Sequence, residues 1–475
     1  MKPSAFLAAA TAAAFCAGCA TTHLDDPILL DARLEALGLD EDDAKGGKAP
    51  ESALDVVSGE YDILKAINTA LANNLSLRSA FLKRSEARGA ITSARAAAYP
   101  NLSLGGGVTS DLVERGDNPD TYAATLSLTQ PLWRSGAISA GIKYADLYAA
   151  STDEDIREVM QSVVAQVSED YLGVLLSTKM VDVYNESVAV AERMLETAKK
   201  KRNAGTASDY EVLRAEVEVA TSKASLIKEQ NALRTAGIRL LQDMGVNQDS
   251  RIAITGSLSY TPETNDVNAV LLAALVNRPD VLKAQAAVGM AEESLKLVKS
   301  QYGPSADLFA NGRYQNPDPN DSSKDEWNYD ASAGVNVSLT LFDGFERRGK
   351  LRQAESKLEQ AKAALRLAEE SARVEIVRAL LDVRNADELY ASQEKNIDLS
   401  REALRMLENG FKVGRNTQIE VLDARSALTE AMGQYYNAIY THSVALIGVR
   451  KAAGTLVAGA EAKVKPGVEI TDKPF

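Results

Sequence analysis

Few side chains in this sequence have the type and spacing that catalysis demands. Its 475 residues hold two histidines, His23 and His442, and two cysteines, Cys16 and Cys19. His442 falls in a helical run, so a packed or half-exposed helix residue is expected there, not a base or a ligand. The sequence carries no phosphate-cradling glycine loop and no paired Cys/His spacing for a metal. Any catalysis would fall to carboxylates, and most Asp and Glu read as solvated helix faces. Two acids stand apart. Glu420 and Asp423, in "EVLDA", sit three residues apart on one helical face, and Glu211 opens a matching "EVL". The plainest fate of such a pair is a helix surface facing water. A formal net charge of −13 argues against nucleic acid as partner. No enzyme activity and no cofactor are expected.

The elements that carry these residues are long. No proline occurs between Pro131 and Pro262, or between Pro319 and Pro466, and both windows are rich in helix formers. Met160, Val163, Val164, Val167, Tyr171, Val174 and Leu175 recur at steps of three and four. Leu365, Ala368, Ala372, Ile376, Ala379, Leu380 and Val383 do the same. A helix from near Gly136 to near Lys200 would run on the order of 100 Å, too long for a globular core. Each such helix meets a glycine tip, Ala204-Gly205-Thr206 or Val413-Gly414-Arg415, and then a returning helix. Ahead of each lie alternating runs. "TYAATLSLTQPLW" sets Tyr122, Ala124, Leu126 and Leu128 against Thr125, Ser127 and Thr129. "NYDASAGVNVSLTLF" sets Tyr329, Ala331, Ala333, Val335, Val337, Leu339 and Leu341 against Asp330, Ser332, Asn336, Ser338 and Thr340. Period two over more than ten residues suits a tilted transmembrane strand. Their partners fall near Leu102–Leu112 and Ala306–Tyr314. The alternative for such runs is a small soluble hairpin packed on helices.

All of this happens twice. Trp133 and Phe342, Gly205 and Gly414, the two "EVL" runs, and Gly245 and Gly454 each lie 209 positions apart. "ALANNLSL" from Ala70 and "ALVNRPDV" from Ala274 lie 204 apart. The reading is an α+β chain of two tandem repeats, residues 60–250 and 265–455. The first holds a strand pair over 101–133 and a tip near 205. The second holds a strand pair over 305–342 and a tip near 414.

The N-terminal "MKPSAFLAAATAAAFCAGCATT" has one Lys, a short apolar run and small residues, as an export signal does. Ala17-Gly18-Cys19 resembles the last three places of the bacterial lipobox. That resemblance implies a signal peptide of residues 1–18, cleavage before Cys19 and lipidation of its thiol. Ala20 then favours the outer membrane over inner-membrane retention. Residues 19–59 read as a polar leader and 456–475 as a tail. After residue 20 no apolar stretch is long enough to span a bilayer as a helix, so any crossing falls to strands. Four strands cannot close around a lumen, so the chain must oligomerise. Two, three or four copies satisfy that logic.

The doubled order of strand pair, "QPLW" or "LTLFDG", long helix, glycine tip with "EVL" and returning helix resembles the TolC-type outer-membrane factors. The resemblance covers about residues 60–455. It implies a homotrimer whose twelve-stranded outer-membrane barrel continues as a periplasmic coiled-coil tunnel, in a Gram-negative bacterium. Such a trimer is a passive exit duct for a tripartite efflux pump or a type I secretion system. Its partners would be a periplasmic adaptor (membrane fusion) protein, an inner-membrane RND or ABC transporter, and outer-membrane lipid. By the same resemblance Glu420 and Asp423, with Glu211 in the first hairpin, would ring the periplasmic aperture, where gathered carboxylates favour cations. Ala204, Gly205, Thr206, Val413, Gly414 and Arg415 would be the tips that an adaptor grips. Phe411 stands where some relatives have a tyrosine bonding across the hairpins, and Asn416 where some have an arginine. The competing function is a structural coiled-coil envelope lipoprotein without a lumen, which has no use for the alternating strands.

Overall fold

A computed structural model describes residues 56–110, 120–263, 267–317 and 326–456. In chain order the elements are β1 (Ser58–Tyr61), α1 (Ile63–Asn73), α2 (Leu75–Ala96), β2 (Asn101–Thr109), β3 (Thr121–Trp133), α3 (Ala137–Asn203) and α4 (Asp209–Asp243). There follow β4 (Arg251–Ile254), α5 (Val267–Asn277), α6 (Pro279–Ser300), β5 (Ser305–Asn316), β6 (Asn328–Ser338), α7 (Glu346–Lys412) and α8 (Gln418–Ala452). The chain divides into two compact units. The smaller takes in residues up to Gly59 and Val246–Ile252. Within it, Val57 N–H donates to Ser250 Oγ at 3.0 Å, and Arg251 N–H to the Val57 carbonyl at 3.2 Å. Everything below belongs to the larger, Glu60–Gly245 with Ala253–Phe475.

The doubling extends to element length. α1 and α5 have 11 residues each, α2 and α6 have 22, α3 and α7 have 67, and α4 and α8 have 35. A helix of 67 residues is about 100 Å long. Both strand-to-helix corners use two consecutive positive-φ residues, Ser135 and Gly136 in one and Gly344 and Phe345 in the other. The short helices meet the hairpin ends at equivalent points. Asn74 Nδ2 donates to the Asp243 carbonyl at 3.1 Å. Arg278 Nη1 donates to the Ala452 carbonyl at 3.1 Å, the matching place in the second copy.

The periodic stripe of α3 is its core face. Ile156, Met160, Val163, Val164, Val167, Tyr171, Val174 and Leu175 are all buried. Several of them close over Leu71, Leu77 and Ala80 from α1 and α2. Each fully buried Val, Ile or Leu is worth about 1.5–3 kcal/mol. Helix α7 has the same length yet buries only Ala354, Ala372, Ile376, Val383 and Ala386. Its Leu367, Val374, Val377, Leu381, Leu399 and Met406 stay exposed. The long periodicity of α7 thus has only part of its partner surface among the described residues.

Candidate functional site

The strands form one antiparallel sheet in the order β2-β3-β5-β6. The two strand pairs expected from the sequence are therefore joined to each other through β3 and β5. The register then sorts the side chains. Leu104 lies opposite Leu126, and Leu102 opposite Leu128. Leu126 lies opposite Gly312, and Leu128 opposite Ala310. Ala310 lies opposite Ala333, Leu308 opposite Val335, and Ala306 opposite Val337. Since side chains alternate across a strand, these residues with Val108, Tyr122, Tyr314 and Tyr329 make one continuous apolar face. The other face carries Ser103, Thr125, Ser127, Asn311, Arg313, Asp330, Ser332 and Asn336 in register.

The apolar face is bare. Leu102, Leu104, Val108, Val335 and Val337 are exposed, Leu104 to 78%. Aromatics collect at both ends of the strands. Tyr314 stacks on Trp327 with centroids 4.8 Å apart, near Tyr122 and Tyr329 in the register. Trp133, Phe342 and Phe345 lie at the helix end, with Phe342 and Phe345 edge-to-face at 5.6 Å. From Tyr122 to Trp133 the strand runs about 36 Å at its ordinary rise, and a tilt of about 40° leaves about 28 Å, close to the apolar band of an outer-membrane barrel. β6 stops at Ser338, so Leu339, Thr340 and Leu341 fall outside the strand that the alternation suggested. Asp343 ends the run by accepting from Arg347 N–H at 3.0 Å and Arg347 Nε at 2.6 Å, which turns the chain into α7.

The tips repeat as well. Gly205 and Gly414 have φ of 74° and 78°. In the first, Thr206 N–H donates to the Lys201 carbonyl and Gly205 N–H to that of Arg202. In the second, Arg415 N–H donates to the Gly410 carbonyl and Gly414 N–H to that of Phe411. This is the Schellman ending, which needs a left-handed residue and so selects glycine. Ala204 and Val413 are the C-caps before the glycines. The returning helices start on Ser208 and Thr417.

Here Glu420 and Glu211 take part in the starts of the returning helices. Glu420 accepts from Thr417 N–H at 2.8 Å and from Asn416 Nδ2 at 3.2 Å, while Thr417 Oγ1 accepts from Glu420 N–H. That is a complete capping box. The Thr417 N–H, then the Asn416 amide, hold the Glu420 carboxyl below its usual range. Glu211 N–H donates to Ser208 Oγ at 3.3 Å, and the Ser208 hydroxyl reaches Glu211 Oε1 at 3.4 Å. The "EVL" doubling is thus a doubled helix start. Asp423, one turn further along α8, is exposed.

Between the hairpins the structure gathers residues that spacing could not reveal. Lys201 Nζ lies 4.2 Å from the Phe411 ring centroid, a contact that joins the two hairpins. Glu211, Phe411 and Arg425 line one cleft of about 230 Å³ there, and Arg425 pairs with Glu408. Glu420 and Asp423 do not line that cleft. His442 is buried to 1% exposure, so of the two expected fates the packed one holds. Its ring lies 4.6 Å from Tyr260, and its Nε2 is 3.0 Å from Asp387 Oδ1, without hydrogen-bond alignment. Cys19, with Cys16 and His23, lies outside the described residues. Among the described residues no cluster of three or more His, Cys, Asp or Glu could hold a metal, and no helix is long and apolar enough to cross a membrane.

The sequence profile of the outer membrane efflux protein family matches residues 66–246 and 270–455. The outer membrane protein TolC of Vibrio cholerae is 26% identical over 422 residues, covering 87% of this chain and 95% of that protein. The alkaline protease secretion protein AprF of Pseudomonas aeruginosa is 24% identical, covering 83% of this chain and 84% of that one. Among solved structures, the outer membrane protein VceC of Vibrio cholerae superposes with a TM-score of 0.70 at 20% identity. It covers 82% of this chain and 96% of its own.

Proposed function

The chain belongs to the outer membrane efflux protein family, and from that premise we propose the assembly in which it works. It is an outer-membrane duct of an efflux or secretion system. Three copies pair β6 of one with β2 of the next and close a barrel of twelve strands. Its apolar face meets lipid, and its polar face lines a water-filled passage that the long helices continue through the periplasm. The observation that carries this reading is the sheet, apolar on one face and polar on the other, with both edges free among the described residues. Lipid does not tolerate open edges, because each unpaired backbone group there costs several kcal/mol.

The helices support the same closure. On α4, Tyr210, Leu213, Val217 and Ile227 are exposed, as is Ile238. They fall on one heptad stripe left uncovered among the described residues. The exposed residues of α7 offer a complementary apolar surface. The duct is passive, and energy comes from an inner-membrane RND or ABC transporter coupled through a periplasmic adaptor. The adaptor grips the Ala204-Gly205-Thr206 and Val413-Gly414-Arg415 tips. Glu420, Asp423 and Glu211 ring the periplasmic aperture, with Asp423 the carboxylate least engaged by its own helix. The repeats occupy residues 60–250 and 265–455. Cys19 carries the lipid, and a fatty-acid label should tag the wild type and not Cys19→Ser.

The test is native mass spectrometry and planar-bilayer recording on the full-length protein in detergent. A trimer with a stable conductance is expected. A monomer or dimer that conducts nothing would favour the envelope-spacer reading instead.

A further inference from the structure

We propose that the start of α7 holds an anionic phospholipid from the bilayer leaflet on the helix side, with Arg348 and Arg352 on its phosphate and Leu341, Phe342 and Phe345 against its acyl chains. Past the end of β6 the chain leaves the sheet. Its apolar side chains nevertheless stay bare there, Leu341 to 86% and Phe342 to 74%. They continue the exposed apolar face of the sheet toward the helices. Phe345, Arg348 and Arg352 then follow at steps of three and four, which puts them on one side of the helix. Ala354, about half a turn round from Arg352, is buried, so the arginine side looks away from the protein. At 1.5 Å per residue, Arg348 stands about 4.5 Å beyond Phe345 and Arg352 about 10.5 Å. The headgroup layer adds about 5–8 Å to each side of the hydrocarbon core, and an arginine head can reach back along its stem. Both guanidinium groups therefore meet the phosphates when Phe342 and Phe345 sit at the edge of the core.

The cations at this corner differ in what they already touch. Arg347 Nε donates to Asp343 at 2.6 Å and its Nη1 to the Gln301 carbonyl at 3.2 Å. Its guanidinium lies 4.9 Å from the Tyr302 ring centroid. Lys350 pairs with Glu346 at 2.6 Å. Arg348 and Arg352 are exposed and make no hydrogen bond, ion pair or ring contact among the described residues. The helix backbone does not supply the site, because Asp343 already accepts from Arg347 N–H at 3.0 Å. A free cation in the first turn of a helix opposes its dipole, so Arg348 works against α7 until an anion meets it. The first repeat shows that the corner itself does not need the two arginines. Ser139 and Lys143 stand 209 positions earlier, and that corner turns into a helix of the same length. A lone phosphate ion would satisfy the charges and leave Leu341 and Phe342 bare. A phospholipid meets both.

The inference rests on the lipid-facing reading of the sheet. The experiment uses the full-length protein in a non-ionic detergent, with dioleoyl phosphatidylglycerol and dioleoyl phosphatidylethanolamine added in equal amounts. Native mass spectrometry counts the lipids that the trimer retains. The wild type should retain phosphatidylglycerol in preference. Arg348→Gln and Arg352→Gln should each weaken that retention about fivefold, the contribution of one cation near an anionic surface. The double variant should hold the two lipids alike. Lys228→Gln removes an exposed cation of α4 and should change nothing. Ser139→Arg copies the second corner into the first, beside Lys143, and should raise the number of phosphatidylglycerol molecules retained. Phe342→Ser should weaken retention too, and glycerol 3-phosphate in solution should not displace the lipid. A double variant that keeps the preference overturns the site. Full displacement by glycerol 3-phosphate, with Phe342→Ser indifferent, would assign the arginines to a free phosphate and overturn the lipid. A conducting trimer without lipid preference sinks this inference alone, whereas a wild type that forms no trimer sinks the duct reading and this inference with it.

Discussion

Glu420 has a structural duty besides the one proposed for it at the aperture. Its carboxylate closes the capping box of α8, so removing it affects the helix start as well as any ring of charge. A Glu420→Ala, Asp423→Ala pair would therefore disturb the helix start through Glu420, whereas Asp423 takes no part in the cap. Thr417→Ala removes the cap hydroxyl and should cost about 1 kcal/mol in a denaturant titration. Asp423→Ala should leave that stability unchanged, raise single-channel conductance and weaken block by multivalent cations. Unchanged conductance in a verified trimer would move the constriction elsewhere. Glu420 is held below its ordinary 4.5, so its support for the cap is present above that pH and lost as pH falls below it. Exchange at residues 417–421 should rise on acidification below pH 4.5 in the wild type and be insensitive to pH in Glu420→Gln.

The sheet makes its prediction one element up. Leu126 and Val335 lie on the bare apolar face near mid-strand, and Ser127 and Asn336 on the polar face. An arginine on the lipid side near the bilayer midplane costs about 2–4 kcal/mol, and a lumen position tolerates it. Leu126→Arg and Val335→Arg should lose heat-stable trimer on a gel, and Ser127→Arg and Asn336→Arg should keep it. Equal tolerance on both faces would mean that the strands are not in lipid. Scanning beyond Ser338 should show no alternation, because β6 has ended there. The heptad stripe on α4 gives a matching test of a helix. Leu213→Asp and Ile227→Asp replace exposed residues, so they should leave the helix content of the chain intact while weakening trimer formation.

Across the whole molecule, the repeat has mechanical consequences. A Cβ on Gly245, at φ 69°, would stand 2.6 Å from the Asn73 carbonyl oxygen. A Cβ on Gly454, at φ 71°, would stand 2.7 Å from the Asn277 carbonyl carbon. Both neighbours are backbone, which cannot swing aside. Gly245→Ala and Gly454→Ala should each destabilise by more than about 1 kcal/mol, through left-handed strain together with the clash. Loss at one site and not the other would show that the two hairpin roots are not equivalent. The tip glycines have open space around them, so their cost should be conformational alone.

The sequence by itself determined the periodic parts. Proline-free windows fix long helices, since one proline would break the hydrogen-bond ladder. Alternation fixes which strand residues share a face, since side chains point to opposite sides in turn. The offsets of 209 and 204 fix the doubling, and the tip glycines fix where each helix turns back. What no spacing contains is the pairing between distant elements. That β3 lies against β5, making four strands one sheet with two open edges, is decided by tertiary packing between residues almost two hundred positions apart. The same holds for Lys201 over Phe411 and for His442 beside Asp387.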